Sequence, residues 1–363
     1  MSQTIRWLLA IAALAFGLAF VGCSGGDGEE NGDADQGGGP VRGEKVLGDE
    51  EREYKVPHVF SLGGEDTILF RNDTGISAMK LNAMQLVPID TKGLTNLAYG
   101  PTQYAVDESY LVWNIETALS YRFQWALATT QEASTGPLAP GFCIRNDSFS
   151  QRVLTAVQRG GYMYNIALAK FTDPTQLSRI TLLDPDQQST PVSISAFACK
   201  GAEGFVGATD GRMLRVNLND SNPTLEVLFH DGGFDLLQYD PPYLVWLDQS
   251  NDIRMYNLET GDGPKIVADV DPNNQSSARV DDLRLFGSVV VWSDNSEGNY
   301  NVWAVDLATQ GDDVANYPQI TRETSDERFP FLYGGKVYWE DHRNDGRAEI
   351  WADELPPLET TGE

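Results

Sequence analysis

Six charged side chains stand where they could act together on a ligand. Each comes next to an apolar run that predicts a β-strand: Asp231, Asp235, Asp281, Asp282, Asp326 and Arg328. Several carboxylates held close together could bind a cation or the positively charged part of a ligand, and a pair of them could serve as acid and base. For any single one of these residues, a solvated connection is the simpler explanation.

The sequence contains none of the usual signatures of nucleophilic or zinc catalysis. It has three histidines, His58, His230 and His342, and no G-x-S-x-G, H-E-x-x-H, paired C-x-x-C or G-x-x-x-x-G-K motif. The polar turns 294–299 and 340–346 contain oxygen ligands but do not match a calcium loop. Tight-turn chemistry explains them, with a structural cation such as calcium as the alternative. We therefore expect no catalytic residues, no metal centre and no cofactor.

The elements that must position the charged residues follow a repeat of roughly 45 residues. Apolar runs occur at 68–70, 111–113, 153–156, 205–208, 244–246, 290–292 and 337–339. A strand ending in leucine follows each run, at Leu81, Leu127, Leu168, Leu218, Leu258, Leu307 and Leu355. Two markers that share such a period, with several short strands in each repeat, are typical of β-propellers.

Tryptophans end four of the apolar runs, at Trp113, Trp246, Trp292 and Trp339. They could form an aromatic surface for glycans. Because each run is continuously apolar, as in a strand covered on both faces, we predict that these side chains belong to the core.

The last repeats carry a family resemblance. The segments VVVWSDNSEGNYNVWAVDL and VYWEDHRNDGRAEIWADEL resemble repeats of TolB-like propellers, in which a strand ending near Trp or Phe leads into an Asp/Arg/Gly turn and an I-Y-x-x-D-L strand. Repeat five, YLVWLDQSNDIRMYNLETG, is also similar. The resemblance implies four-stranded blades whose innermost strands line a central channel. The six charged residues would then lie at the channel mouth.

We predict an all-β chain with a single β-propeller over residues 41–355, most simply of seven four-stranded blades. Fourth strands are visible at 84–90, 178–184, 224–230, 264–270 and 318–323. The last repeat has none, since only a polar tail, 356–363, follows it. An open blade would expose an edge, so we predict that a strand within 44–55 completes it. The 52 residues between the third and fourth markers leave six or eight blades as alternatives.

The N-terminal residues predict a lipoprotein. Residues 1–22 have the charge and apolar pattern of a secretory leader, and the segment FVGC that ends at Cys23 resembles a bacterial lipobox. The resemblance implies cleavage before Cys23 and its acylation, and Ser24 is compatible with export to the outer membrane. Residues 23–40 then form the lipidated cysteine and a Gly/Asp-rich tether without a core. The alternative is a secreted protein with an incidental cysteine.

The two other cysteines fall at similar places in consecutive repeats. Cys143 lies in FCIRND and Cys199 in FACKGA, both on strands predicted to line the channel. Exported proteins can oxidise such a pair, but a disulfide requires Cα atoms within about 7 Å. A Cys143–Cys199 disulfide and two buried thiols both fit the sequence.

The formal net charge of −27 limits the partners. It repels nucleic acid and anionic lipid headgroups and attracts cations or basic partners. We therefore expect a monomeric cell-envelope lipoprotein, anchored to the outer membrane by its lipid only, that presents a non-catalytic propeller to a protein or envelope polymer. The alternative is a glycan-active lyase or hydrolase that uses carboxylates at the channel mouth.

Overall fold

A computed structural model describes residues 43–49, 51–73, 75–89, 104–106, 110–114, 119–134, 138–147, 150–159, 162–170, 177–186, 192–218, 223–270, 278–309, 317–344 and 346–358. Between 104 and 181 it describes few side chains. The predicted leader, Cys23 and the tether lie outside the described residues. Among the helices that are described, none is long and apolar enough to cross a membrane.

Antiparallel sheets, most of them four-stranded, follow one another along the described chain. A short first strand, β1 (Glu44–Leu47), precedes them. The first of these sheets contains β2 (Lys55–Leu62), β3 (Glu65–Asn72), β4 (Gly75–Lys80) and β5 (Gln85–Val87). The next contains β6 (Tyr104–Val106), β7 (Tyr110–Asn114), β8 (Leu119–Gln124) and β9 (Thr129–Ser134), with a 3-10 helix, Trp125–Leu127, before β9.

An eight-stranded sheet spans the third and fourth predicted repeats. It contains β10 (Leu138–Asp147), β11 (Ser150–Arg159), β12 (Tyr162–Lys170), β13 (Leu177–Thr181), β14 (Ile194–Lys200), β15 (Glu203–Ala208), β16 (Arg212–Asn217) and β17 (Leu225–His230). Its halves are joined where Met163 of β12 pairs with Ile194 of β14. Because one sheet contains strands of two repeats, the number of blades stays a prediction.

The later sheets are a four-stranded and a three-stranded one. They contain β18 (Asp235–Asp240), β19 (Tyr243–Leu247), β20 (Ile253–Asn257) and β21 (Asp262–Ala268), and then β22 (Val280–Phe286), β23 (Val289–Asp294) and β24 (Asn301–Asp306). The segment 318–323, predicted as a fourth strand, does not form a full strand. It pairs with β24 through a bridge between Trp303 and Gln319 and a hydrogen bond from the Ile320 N–H to the Val302 carbonyl over 2.8 Å. The Thr321 hydroxyl accepts the Val302 N–H over 2.9 Å, which takes the place of a ladder carbonyl.

The last sheet is completed from the other end of the described chain. It contains β25 (Glu327–Tyr333), β26 (Lys336–Asn344) and β27 (Arg347–Glu354), and β1 pairs antiparallel with β27. Leu47 of β1 lies opposite Ile350 and is 4% exposed. The chain reaches β1 through Gly43, at φ +94°, where a Cβ would lie 2.6 Å from the Trp339 ring. The predicted closing strand is confirmed.

Five of the leucine markers share a backbone hydrogen bond just after the third strand of their sheet. In five repeats the leucine N–H donates, over 2.7–2.9 Å, to a carbonyl at or beside the turn that precedes the second strand of the sheet. These leucines are Leu81, Leu218, Leu258, Leu307 and Leu355. Each bond fixes the third strand against the start of the second, so the marker recurs once per sheet.

Tryptophans fill the space between sheets, as predicted. Trp246, Trp292 and Trp339 are fully buried. Trp339 packs with Val291 of the preceding sheet and with Ile320 of the segment that follows it. The indole N–H groups of Trp292 and Trp339 donate to Asp294 and Asp341, two residues further on, over 2.7 and 3.1 Å. The side chain of Trp113 lies outside the described residues.

Leu47→Ala tests the closing strand. We expect it to lower the free energy of unfolding by about 2–4 kcal/mol, because it leaves a cavity between the first and last sheets. Leu86→Ala is the matched control, since Leu86 is 56% exposed on the edge strand β5. Urea denaturation followed by tryptophan fluorescence measures both. Equal, small effects would mean that β1 does not complete the last sheet.

Candidate functional site

The innermost strands of the sheets bring the predicted residues to one face. Neighbouring innermost strands contact each other in the order β6, β10, β14, β18, β22, β25 and β2. Asp231 precedes β18 and Asp326 directly precedes β25. The other four were predicted to precede their strands and instead lie inside β18, β22 and β25, near where each strand begins: Asp235, Asp281, Asp282 and Arg328.

A β-bulge recurs near the start of these strands. Register shifts occur at this place in β2, β14, β18, β22 and β25. In three of them a bulky residue has a left-handed backbone: Val56 at φ 52°, Leu236 at 43° and Phe329 at 52°. Bulges bend a strand and change the direction of its side chains. The recurrent bulge therefore helps to set which charged groups meet on this face.

Arg328 is the centre of the group that does meet. Its Nη1 donates to Asp281 Oδ2 over 3.2 Å and its Nη2 donates to Asp326 Oδ2 over 2.8 Å. Its guanidinium carbon lies 3.8 Å from the centre of the Tyr300 ring, a cation–π geometry. The Tyr300 N–H also donates to Asp326 Oδ1 over 3.1 Å. We call these four residues the arginine cluster. It joins the β22–β24 sheet to the last sheet.

The two carboxylates of the cluster titrate in opposite directions. Burial raises the pKa of Asp281 above its ordinary value, although Arg328 opposes this. Burial would also raise the pKa of Asp326, but the hydrogen bonds from Arg328 and the Tyr300 backbone outweigh it and lower the pKa. Both carboxylates bind the same guanidinium, so the cluster is a partly buried network with one cation and two acids.

Asp282 directly follows the register shift of β22 and is not part of this cluster. It is 1% exposed and accepts a hydrogen bond from Arg284 Nε over 3.1 Å. Burial raises the pKa of Asp282, while Arg284 opposes the shift. His58 of β2 lies near Arg284, and its ring centre is 4.5 Å from that of Phe331 in a tilted arrangement. Burial, chiefly, lowers the pKa of His58. Asp282 and Arg284 of β22, His58 of β2 and Phe331 of β25 therefore belong to neighbouring innermost strands.

Asp231 and Asp235 are placed apart from the arginine cluster, between two other sheets. Asp231 accepts a hydrogen bond from the Trp246 indole over 3.1 Å and pairs with Arg254 at 3.2 Å. Asp235 is exposed and borders a cleft between β14–β17 and β18–β21. The six predicted residues therefore lie near the starts of innermost strands but form separate groups, and Asp282 is buried.

Three carboxyl groups of the last sheet are buried, although the sequence had predicted two of them, Glu340 and Asp341, for a polar turn. Glu327, Glu340 and Asp341 are all fully buried. Glu340 accepts the Val56 N–H of the first sheet over 3.0 Å and contacts His342 at 2.8 Å. This hydrogen bond raises the pKa of His342. Charged residues are rarely buried in a strand, so nothing in the local sequence distinguished them from solvated ones.

The two segments predicted as polar turns differ in structure: 295–299 follows β23 as a turn, whereas 340–344 belong to β26. Both contain an aspartate that binds the backbone two residues further on. Asp294 Oδ1 accepts the Ser296 N–H over 3.0 Å, and Asp341 Oδ1 accepts the Arg343 N–H over 2.9 Å. Such bonds to the backbone two residues on are typical of Asx turns. Within the part of the chain that the structure describes, no group of three or more His, Cys, Asp or Glu side chains is arranged to hold a metal ion.

Cys199 of β14 is disulfide-bonded. The side chain of Cys143 lies outside the described residues, although its strand, β10, is a neighbour of β14. The Cys143–Cys199 disulfide therefore stays a prediction.

Comparison with known proteins gives the fold alone. No protein-family description and no curated protein matches the sequence. Among solved structures, the β-propeller domain of Cps50 (Swd1) from Myceliophteria thermophila is 12% identical with a TM-score of 0.58, and the match covers 82% of this chain and 96% of that one. U3-55K is 10% identical with a TM-score of 0.58, covering 87% of this chain and all of U3-55K. The predicted all-β propeller is confirmed.

Glu327→Gln tests the buried carboxylate. Burial, chiefly, and the nearby Asp341 raise the pKa of Glu327 to about 8. Between its ordinary pKa and about 8, the folded protein then holds a proton that the unfolded chain has lost, so stability falls as the pH rises through this window. The glutamine variant lacks this loss.

We expect melting temperatures measured from pH 5 to pH 9 to fall less for Glu327→Gln than for the wild type. Glu259→Gln, at an exposed position, is the control and should follow the wild type. Parallel curves for all three proteins would contradict the buried, protonated state of Glu327.

Proposed function

We propose that this chain is a non-catalytic binding or scaffold lipoprotein of the bacterial cell envelope. Its TolB-like propeller would present the face at which the innermost strands begin to a protein or envelope-polymer partner. The fold supports a binding or scaffold role in general, but propellers host unrelated activities. The specific role must therefore be argued from the site residues.

The observation that carries the proposal is the arginine cluster. Arg328, Asp281, Asp326 and Tyr300 come from two sheets and hold one another in place at partial exposure. A general acid or base must reach its substrate with the right protonation state, whereas both carboxylates here bind a guanidinium. An ordered surface of Arg and Tyr is the composition that dominates binding energy in protein interfaces.

The lipid anchor is the second part of the proposal. It is supported by the leader pattern at 1–22, the lipobox-like segment that ends at Cys23 and the flexible composition of 24–40. Acyl chains on Cys23 would hold the propeller at the outer membrane, and the tether would let its binding face turn toward a partner.

Cys23→Ala tests the anchor. We expect the variant to move from the membrane fraction to the soluble fraction, because it lacks the acylated thiol. A salt wash of membranes containing the wild-type protein is the control for peripheral attachment, since salt weakens surface electrostatics but not acyl insertion. Unchanged fractionation of the variant would contradict lipid anchoring.

Arg328→Met tests the binding face. The variant retains an apolar stem but loses the charge, and we expect capture of the crosslinked envelope partner to fall by about tenfold or more, as for an arginine hot spot. Lys80→Met, on an exposed pair with Glu65 at the opposite end of its sheet, is the matched control and should capture normally. Equal capture by both variants would contradict the assigned face.

Incubation with envelope or plant polysaccharides tests the non-catalytic role. New reducing ends or unsaturated products would contradict that role.

A further inference from the structure

A cleft of about 390 Å³ opens between the β14–β17 strands and the β18–β21 sheet. It lies on the face at which the innermost strands begin, because its walls are the starts of β14 and β18 and the ends of β15 and β19. Pockets that take small ligands have volumes of about 300–1,000 Å³. The cleft is therefore large enough to enclose an extended side chain.

The lining divides into apolar walls and a polar rim. Ala208, Phe234 and Leu247 are 1%, 6% and 5% exposed and form apolar walls. Thr209 and Asp235 are exposed and line the same cleft. Such a lining fits a ligand with an apolar stem and a polar head.

Glycines set the distance between the walls. A Cβ at Gly207 would lie 2.5 Å from Cβ of Phe234, and a Cβ at Gly233 would lie 2.6 Å from Cγ of Gln249. Gly233 has φ +158°, near the extended region. Close approach, more than backbone conformation, explains glycine at both positions, and it holds Phe234 in its place in the wall.

The charge around the cleft is negative. Asp235, at the start of β18, and Asp248 line the cleft. Asp231, in the connection before β18, and Asp252, in the turn before β20, lie close to them in sequence. Among the described residues, Arg254 is the only cation in an ion pair with any of them, shared by Asp231 at 3.2 Å and Asp248 at 3.3 Å. Burial, with repulsion from Asp248 and Asp269, raises the pKa of Asp252 to about 6. The surplus of carboxylates favours a cationic ligand.

We propose that this cleft binds the side chain of a lysine or arginine presented by a protein partner. The aliphatic stem packs against Ala208, Phe234 and Leu247, and the charged head meets Asp235. Lysine and arginine combine an apolar stem with a cationic head, whereas a metal ion would make no use of the apolar walls. The inference rests on the proposed function, and it narrows the partner to a protein with an exposed basic side chain.

The test is an NMR titration of the full chain with Nα-acetyl-lysine N-methylamide. Nα-acetyl-norleucine N-methylamide, which has a similar stem without the charge, is the control ligand. We expect the lysine compound to shift the amides of Thr209 and Asp235 and the norleucine compound to leave them unchanged. Added salt should weaken the binding, since the rim of the cleft is solvent-exposed.

Two variants and a control sharpen the test. Asp235→Asn should weaken binding by about tenfold or more, the size of one charged hydrogen bond. Thr209→Lys should abolish it, because the new side chain occupies the cleft from within the molecule. Asp262→Asn, at an exposed position on the opposite end of the same sheet, should bind as the wild type does.

Equal affinity of the wild type and Asp235→Asn, or no shift with the lysine compound, would overturn the assignment of the cleft. A response to calcium alone would overturn it as well. A partner that is captured through Arg328 while the lysine compound fails to bind would refute the cleft and support the proposed function. Binding of the lysine compound with no partner captured from the envelope would support the cleft and refute the proposed function.

Discussion

The pairing of β1 with β27 is the constraint on which the rest of the structure depends. A sheet that ended at β27 would leave a row of unpaired backbone groups and the apolar side chains of Ile350 and Ala352 without cover. The short strand Glu44–Leu47 supplies both the hydrogen bonds and the apolar contact. Because it lies about three hundred residues from its partner in sequence, forming this contact requires closure of a long loop, which slows folding.

The junction of the first and last sheets also contains a buried carboxyl group. Glu340 of the last sheet is fully buried and accepts the Val56 N–H of the first sheet. A buried carboxyl group is tolerated only when hydrogen bonds satisfy its oxygen atoms. The first and last sheets must therefore meet closely for Glu340 to be paired. The arginine cluster forms at the other side of the last sheet, where Arg328 of β25 binds Asp281 of β22.

Sequence predicted the repeat, the closing strand and the buried tryptophans, because each rests on apolar periodicity or on a counted missing strand. It did not predict which charged residues meet. The recurrent bulge, with Leu236 and Phe329 at positive φ, has no side-chain signature and decides the direction of the residues after it. Asp281 and Asp282 are chemically alike and adjacent, yet one binds Arg328 and the other Arg284. The segment 318–323 pairs with β24 without forming a full strand, because the Thr321 hydroxyl accepts the Val302 N–H in place of a ladder carbonyl.

Hydrogen exchange of the β1 amides tests the closed ring most directly. In an isolated N-terminal segment these amides would exchange with solvent as fast as in an unfolded chain, whereas ladder bonds to β27 protect them until the sheet opens. Mass spectrometry of peptides covering 44–48 and 347–354 measures both partners in one experiment. The closed ring predicts that both segments exchange slowly and at similar rates. Fast exchange in 44–48 beside slow exchange in 347–354 would contradict it.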